Sequence, residues 1–442
     1  MYFIKLFFSV PAIALLLFTG FRLSFASRWL QVRKFNSTFS NLCNGNGGGF
    51  NSITALCAIV GGNLGVGNLS GTAVALRSGG PGFIVWMIAI IALTSIIKYV
   101  TCYLSIMTKE NVNGRVYGGP VVYLQRAFKT KWATYAVATV TVICAVTVGN
   151  LVQVNSLSIS MHLIGQPPIM AGIIMVIILA FISTMNSDYL GKGISKIVPA
   201  MTVFYITLAT VTLSKFGHNI VPSLKLILHS SLSVESFRHG AFLAFVAETL
   251  SMIQVGALRG IFATDIGLGL EGTVHSMVKS NGPADRDFAV EQSLISLISP
   301  YIVAMVTFIT TMVLLTTNVW TDLGLESTNM CFTAFTRALG SGLTEYALIL
   351  LVFCFSLTTI LTWFLCSREV IAYVSNGNNF LDKCWASLFV TMIPLGALGT
   401  VKFLWDLADI STSISIIINT LGILIMLNKY RDAMFTNIGR RK

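Results

Sequence analysis

Long apolar stretches alternate with short polar ones along the chain, and eleven of them are long enough to cross a bilayer as helices. They cover residues 2–25, 52–78, 82–107, 132–164, 168–185, 194–213, 241–279, 288–317, 343–374, 384–401 and 410–427. The fourth is longer than a bilayer requires, which predicts a tilted helix. A short amphipathic piece at 121–128 precedes it. The run NGNGGG at 44–49 reads as a flexible linker, and residues 215–239 read as a polar outer loop. The pattern predicts an all-α polytopic membrane protein.

Two of these stretches are poorly suited to a single continuous helix. Residues 61–71 read GGNLGVGNLSG, with five glycines in eleven positions. Each glycine costs a helix interior about 1 kcal/mol relative to alanine. Unwound backbone is tolerated at bilayer depth only where it is buried in protein or lines a wet cavity. The stretch therefore predicts two half-helices meeting at a gap. One half exposes carbonyl oxygens there and the other exposes N–H groups, which suits a zwitterion together with a cation. Close packing through the GxxxG of Gly67 and Gly71 is the alternative, but it does not require the polar Asn63 and Asn68.

The second interruption reads RGIFATDIGLGLEGTVH at 259–275. Glycines at 260, 267, 269 and 272 and the charged Asp265 break an apolar pattern there. This span lies five after the first broken one, an odd number, so it crosses in the opposite sense. Broken helices at matching places in two five-helix halves predict an inverted repeat with a binding site between them. The resulting organisation is an extra N-terminal helix and linker at 1–51, a first repeat at 52–214 and the loop at 215–239. A second repeat at 240–428 and a basic tail at 429–442 follow.

Composition narrows the class. The 442 residues are 55% hydrophobic and only 10% charged, too little charge for the surface of a soluble protein with a large core. A net charge of +12 would by itself suggest a nucleic-acid partner. Topology explains it better. With the N-terminus outside, Arg28, Arg33, Lys34, Lys109, Arg115, Arg126, Lys129 and Lys131 fall on the cytoplasmic side, as do Lys192, Lys196, Lys279, Arg286, Arg368, Lys383 and the basic tail. Only Lys5, Arg77, Lys215, Lys225, Arg238, Arg337 and Lys402 fall outside. This asymmetry predicts a multi-pass membrane protein, surrounded by lipid, with an outside N-terminus and a cytoplasmic C-terminus. A single Lys5 near the start of the first apolar stretch and several basic residues toward and after its end favour a retained span over a cleaved signal peptide. The eight cysteines show no paired spacing and read as small hydrophobes. No nucleic-acid motif, nucleophile–base pair or metal-ligand cluster stands out, so neither a nucleic-acid binder nor an enzyme is expected.

The candidate chemistry lies inside the apolar spans. GNLVQVNS at 149–156 puts Asn150, Gln153 and Ser156 on one helical face, either lining a pocket or bonding between helices. Thr358 and Thr359 either complete an oxygen cage for Na⁺, a hard cation, or bond back to their own helix. Trp363, one turn further on, is either a lid over a small substrate or an interfacial anchor. Asp265 is a charge at bilayer depth and so a candidate for coupling or gating. Its structural alternative is an ion pair with Arg259 or Lys98. His275 reads as a hydrogen-bonded helix residue, and GGPG at 79–82 and GGP at 118–120 as tight turns.

The order and spacing of these motifs resemble the alanine–glycine/cation symporter family over nearly the whole chain. GVGNLSG at 65–71 with GGPG at 79–82 is similar to that family's GTGNIAG…GGPG block. Lys98-Tyr99 resembles its KY pair, GGPVVYL at 118–124 its GGPMYYI, and GNLVQVNS its GNxxQxNS. RGIFATDIGLG at 259–269 is similar to RGLFSNEAGxG, with His275 at the family's histidine. Residues 358–363 resemble STIIGW, and Trp405-Asp406-Leu407-Ala408-Asp409 resembles a late WxxAD.

The resemblance implies a leucine-transporter-type fold of two inverted five-helix repeats plus one added helix. It also implies symport of a small neutral amino acid, alanine or glycine, with co-transported Na⁺ and no cofactor. N–H groups at Gly65, Val66 and Gly67, with Asn68 beside them, would hold the substrate carboxylate. Carbonyls near Phe262, Ala263 and Thr264 would hold its ammonium, and Gln153 and Trp363 would close the pocket. The cation would sit among carbonyls of Gly61 and Leu64 and the hydroxyls of Thr358 and Thr359, with a related carbonyl–amide site at Asn63 and Asn68. Asp265 and Arg259, charged groups at bilayer depth, are the candidates for coupling or gating.

This sequence departs from the family pattern in both broken helices. Val66 replaces a threonine, Ala263-Thr264-Asp265-Ile266 stands for SNEA, and Gly269-Leu270-Glu271-Gly272 stands for GSAP. Two alternatives follow from these changes: proton coupling through Asp265, and a membrane receptor that binds an amino acid without transporting it.

Overall fold

The chain is described by a computed structural model over residues 2–34, 38, 51–183, 185, 187–232, 242–278 and 286–436. The linker expected at 44–49, residues 233–239 of the expected loop, the start of the second repeat at 240–241, Lys279 and residues 437–442 of the tail lie outside the described residues.

The described chain is nearly all helix. It begins with α1 (Tyr2–Ala26) and then α2 (Ser52–Asn63) and α3 (Ser70–Gly79). Next come α4 (Phe83–Thr94), α5 (Ile96–Met107), a hairpin of β1 (Glu110–Val112) and β2 (Arg115–Tyr117), and α6 (Pro120–Phe128). They are followed by α7 (Lys131–Val146), α8 (Val152–Leu163), α9 (Ile169–Ile182), α10 (Ser187–Lys215) and α11 (Ile220–Ser231). The second half comprises α12 (Phe242–Thr264), α13 (Leu270–Ser276), α14 (Arg286–Ser296), α15 (Ile298–Thr316) and α16 (Ser327–Leu339). It ends with α17 (Leu343–Val374), α18 (Asn379–Thr391), α19 (Ile393–Leu398) and α20 (Val401–Phe435).

Among the described residues, eight helices are long and apolar enough to cross a membrane, or nine if the bent pair α2–α3 counts as one span. The chain is therefore a multi-pass membrane protein. Two expected spans look different. The fifth forms α9, a 14-residue apolar helix. The seventh is divided into α12, of 23 residues, and α13, of 7. The expected basic tail starts inside α20, which continues to Phe435.

Local chemistry explains several boundaries. The Asn51 side chain accepts from the Thr54 N–H at 2.9 Å and starts α2. Pro120 opens α6, where a missing N–H costs nothing. Asn113 and Gly114, both at positive φ, make the two-residue turn of the hairpin, with Val112 opposite Arg115. Between α7 and α8 one wide π turn at Thr147–Leu151 interrupts the long fourth span. It presents Asn150 to the Phe389 carbonyl at 2.8 Å.

The expected outer loop is partly structured. Helix α10 runs on to Lys215, and α11 packs Ser223, Ile227 and Ser231 inward. Trp86 Nε1 donates to the Ser231 carbonyl at 2.9 Å, which ties α11 to α4. Helix α1 lies along α20, where Lys5 Nζ sits 2.9 Å from Asp406 and 2.7 Å from Asp409.

Candidate functional site

The first interruption is a real break. Helix α2 ends at Asn63, a short 3₁₀ turn covers Val66–Asn68, and α3 leaves at a bend of 54°. Gly65 is needed here because the backbone comes so close to other elements: a Cβ on it would lie 2.5 Å from Thr359 Oγ1 and 2.9 Å from Gln153 Oε1. A Cβ on Gly67 would lie 2.8 Å from the Phe262 ring.

The second break is narrower than the sequence suggests. Residues Arg259 to Thr264 remain helical within α12, and the interruption occupies 265–269. Asp265 adopts φ 53°, and Gly267 and Gly269 adopt 86° and 90°. Gly260, read from the sequence as part of the gap, instead faces Met87 and Ile91 of α4. Phe262, Ala263 and Thr264 thus lie in the last turn of α12, where helix carbonyls lack intrahelical partners.

The two breaks meet. Asn63 Nδ2, at the end of α2, donates to the Thr264 carbonyl, at the end of α12, at 3.0 Å. Asn68 Nδ2 turns back to the Asn63 carbonyl at 2.6 Å, and Thr307 Oγ1 donates to Asn68 Oδ1 at 2.8 Å. Both amide groups of the suggested carbonyl–amide site are therefore engaged in stapling the gap. From α8, Gln153 Oε1 accepts the Val66 N–H at 3.2 Å, while its Nε2 donates to the Val148 carbonyl at 3.1 Å.

The adjacent threonines divide their work. Thr359 Oγ1 reaches the Gly61 and Gly62 carbonyls at 3.1 and 3.2 Å. Thr358 Oγ1 bonds back to Cys354 and Phe355 of its own helix at 3.0 and 3.2 Å, although its Cβ flanks Gly61. Leu64 caps α2, its N–H on the Val60 carbonyl at 2.6 Å. Oxygen atoms of Gly61, Gly62 and Thr359 thus cluster at the end of α2, a donor set suited to a hard cation, while the expected Thr358 hydroxyl is turned to its own helix. Trp363 is 1% exposed and packed on Gly149, which excludes an interfacial anchor. Among the described residues its Nε1 has no hydrogen-bond partner. It also lines a narrow cavity with Pro120, Leu268, Gly269 and Thr273.

Arg259 and Asp265 do not pair. Arg259 Nη2 lies 2.5 and 2.6 Å from the two Asp409 oxygens, and its guanidinium sits 4.7 Å from the Trp405 ring centre and 5.6 Å from that of Phe262. Phe262 and Trp405 are 4.5 Å apart centre to centre. Lys5, Asp409, Arg259, Trp405 and Phe262 thus form a continuous plug beside Gly67. Sequence reasoning finds Trp405 and Asp409 only as motif positions, since an ion pair across 150 residues leaves no local signal. Glu271 and Lys98 are a different case. They are fully buried ionisable side chains, and an ionisable group at bilayer depth is the same signal that singles out Asp265.

The protein-family model described as the sodium:alanine symporter family matches residues 2–437. The sodium/alanine symporter AgcS of Methanococcus maripaludis is 27% identical over 399 residues, covering 86% of this chain and 82% of that protein. A putative sodium/proton-dependent alanine carrier protein, YrbD of Bacillus subtilis, is 26% identical over 439 residues, covering 95% and 87%. The probable sodium/glutamine symporter GlnT of the same organism is 26% identical over 429 residues, covering 94% and 85%.

Proposed function

Because this chain belongs to the sodium:alanine symporter family, we propose that it is a secondary active transporter carrying a small neutral amino acid, alanine or glycine, into the cell with Na⁺ by alternating access. Family and relatives indicate a sodium/amino-acid symporter; the substrate, the cycle and the residue roles are our reading. The arrangement we infer has eleven spans: an added first helix, then inverted repeats at 52–214 and 240–428. Its N-terminus is outside and its C-terminus cytoplasmic, in a bacterial inner membrane.

The observation that carries the proposal is the Asn63–Thr264 hydrogen bond of 3.0 Å, which brings the two breaks to one place. There the turn that starts at Gly65 comes against α12, with Gly67 beside the Phe262 ring; in our reading its N–H groups are offered to a ligand opposite the last carbonyls of α12, which lack helical partners. A zwitterion fits that pairing of opposite partial charges. In our reading the substrate carboxylate meets Gly65, Val66, Gly67 and Asn68, and its ammonium meets the carbonyls of Phe262, Ala263 and Thr264. Gln153 Oε1, which accepts the Val66 N–H here, yields that N–H to the carboxylate, and Trp363 closes the pocket. Na⁺ takes oxygens of Gly61, Leu64, Thr358 and Thr359. The Arg259–Asp409 plug over Phe262 gates one side.

Uptake of labelled alanine into proteoliposomes, with and without an inward Na⁺ gradient, tests the proposal. Accumulation only with the gradient is expected. Binding without accumulation would support the receptor reading instead. Thr359→Ala removes a hydroxyl that now reaches two carbonyls, a loss of about 1–1.5 kcal/mol. It should therefore raise the Na⁺ concentration for half-maximal uptake about tenfold, and Thr358→Ala should raise it less. An unchanged Na⁺ dependence in the double variant would put the cation elsewhere.

A further inference from the structure

The second break is held from outside the ligand site by two side chains that the site itself does not use. Asn419, in α20, donates its amide to the Gly267 carbonyl, in the middle of the break, at 2.8 Å. The Asn419 Oδ1 accepts the Tyr123 hydroxyl of α6. Both side chains are buried, Tyr123 at 0% exposure and Asn419 at 2%. Chemistry fixes the direction of this relay. A carbonyl can only accept, so the amide must turn its NH₂ to Gly267 and its oxygen to Tyr123, whose hydroxyl must then donate. A leucine at 419 would offer the carbonyl no donor, and a phenylalanine at 123 would leave the amide free to turn.

The break itself creates the need for the relay. Gly267 lies between α12 and α13 at φ 86°, so its carbonyl stands outside either helical ladder. A buried carbonyl in that position requires a partner from elsewhere. Helix α6 is seated on the same region. A Cβ on Gly118 would lie 2.5 Å from the Ser276 Cβ, one on Gly119 2.5 Å from Thr273 Oγ1, and one on Gly269 would run into Pro120. Further along α6, Leu124 fills the place where a Cβ on Gly422 of α20 would stand. The GGP at 118–120 therefore seats α6 against α13, Leu124 seats it against α20, and Tyr123 reaches the break between the two contacts. From the opposite side, Leu16 of α1 and Ile416 of α20 close on Gly267, at 3.0 and 3.3 Å from a Cβ there.

We propose that Tyr123 and Asn419 are positioning residues for amino-acid binding. They fix the main chain at Gly267, so that the end of α12 just before it presents the carbonyls of residues 262–264 in one arrangement. Neither side chain touches the ligand. Main-chain carbonyls can be tuned only by holding the chain that carries them, and the relay supplies that hold. The effect on affinity rests on the ligand site proposed above; the hold on the break does not.

Two measurements on the full protein in lipid test this, each made on the wild type, Tyr123→Phe, Asn419→Leu and the double variant. Hydrogen–deuterium exchange without ligand reads the hold. Asn419→Leu should speed exchange of the amides of residues 265–272 about tenfold and leave those of the first break unchanged, with a smaller effect in Tyr123→Phe. Equilibrium binding of labelled L-alanine at fixed Na⁺ reads the consequence. Asn419→Leu should weaken it about tenfold and Tyr123→Phe about threefold, as expected for a lost and a loosened buried hydrogen bond. The double variant should bind no more weakly than Asn419→Leu, because Tyr123 acts through Asn419. A folding defect alone would reduce the number of sites and leave their affinity unchanged. If Asn419→Leu does not fold, Tyr123→Phe, which loses a single oxygen, carries both measurements. Unchanged exchange at 265–272 overturns the hold, and faster exchange with wild-type affinity overturns the positioning role. Effects that multiply in the double variant remove Tyr123 from the relay. A wild type that binds no alanine defeats the ligand site and the positioning role with it, while the exchange result still decides the hold.

Discussion

Gly65→Val should abolish alanine binding while the protein remains folded and inserted. The first atom added to Gly65 would lie 2.5 Å from Thr359 Oγ1 and 2.9 Å from Gln153 Oε1. Neither neighbour can retreat freely. Thr359 is held by the Gly61 and Gly62 carbonyls, and Gln153 by the Val66 N–H and the Val148 carbonyl. Overpacking typically costs about 1–3 kcal/mol. Here the bulk enters the space assigned to the ligand, so affinity should fall at least about a hundredfold. Gly193→Val is the control, since among the described residues nothing lies within 4 Å of a Cβ there. Equilibrium binding of labelled alanine to both variants decides the matter. Wild-type affinity in Gly65→Val would remove the first break from the site.

Asp409→Leu should cost the most stability of any single change considered. Asp409 is 1% exposed, and both its oxygens meet Arg259 Nη2, itself on a side chain 8% exposed. Lys5 approaches the same carboxylate at 2.7 Å but keeps Asp406 if Asp409 is lost. Among the described residues Arg259 has no such second acid, and it would be left as a buried, uncompensated cation, at a cost of about 3–5 kcal/mol. Replacing both partners should recover much of that loss, because the orphaned charge disappears as well. Thermal unfolding of Asp409→Leu, Arg259→Leu and the double variant in lipid measures this. If the double variant melts no higher than Asp409→Leu, the pair is not acting through charge.

The first break is legible in the sequence because five glycines and two asparagines have no ordinary purpose in an apolar helix. The second is legible in existence but not in extent. Gly260 packs against α4 and Gly267 turns the chain, and a sequence shows only that both are glycine. Thr358 and Thr359 illustrate the same limit. They are adjacent hydroxyls on one helix, and only the placement of α2 sends one outward to Gly61 and leaves the other bonded to its own turn. The partner of Arg259 is illegible for a different reason. Asp265 is the nearby acid in the chain, but the helix and its sharp end turn the two apart, and Asp409 arrives from α20. Helix α11 hides inside a segment that reads as polar, because its buried face is short and includes serines. Trp363 could be either lid or anchor by sequence, and its burial on Gly149 removes the anchor.

The central claim is that one ligand is held by main-chain atoms at two meeting breaks. An experimental structure of the protein in a lipid bilayer, with L-alanine and Na⁺ present, tests it most directly. The account predicts amino-acid density between the N–H groups of Gly65 to Gly67 and the carbonyls of residues 262–264, with a cation beside Gly61 and Thr359. Density for alanine at any other place, or an unbroken helix through either stretch, would contradict it.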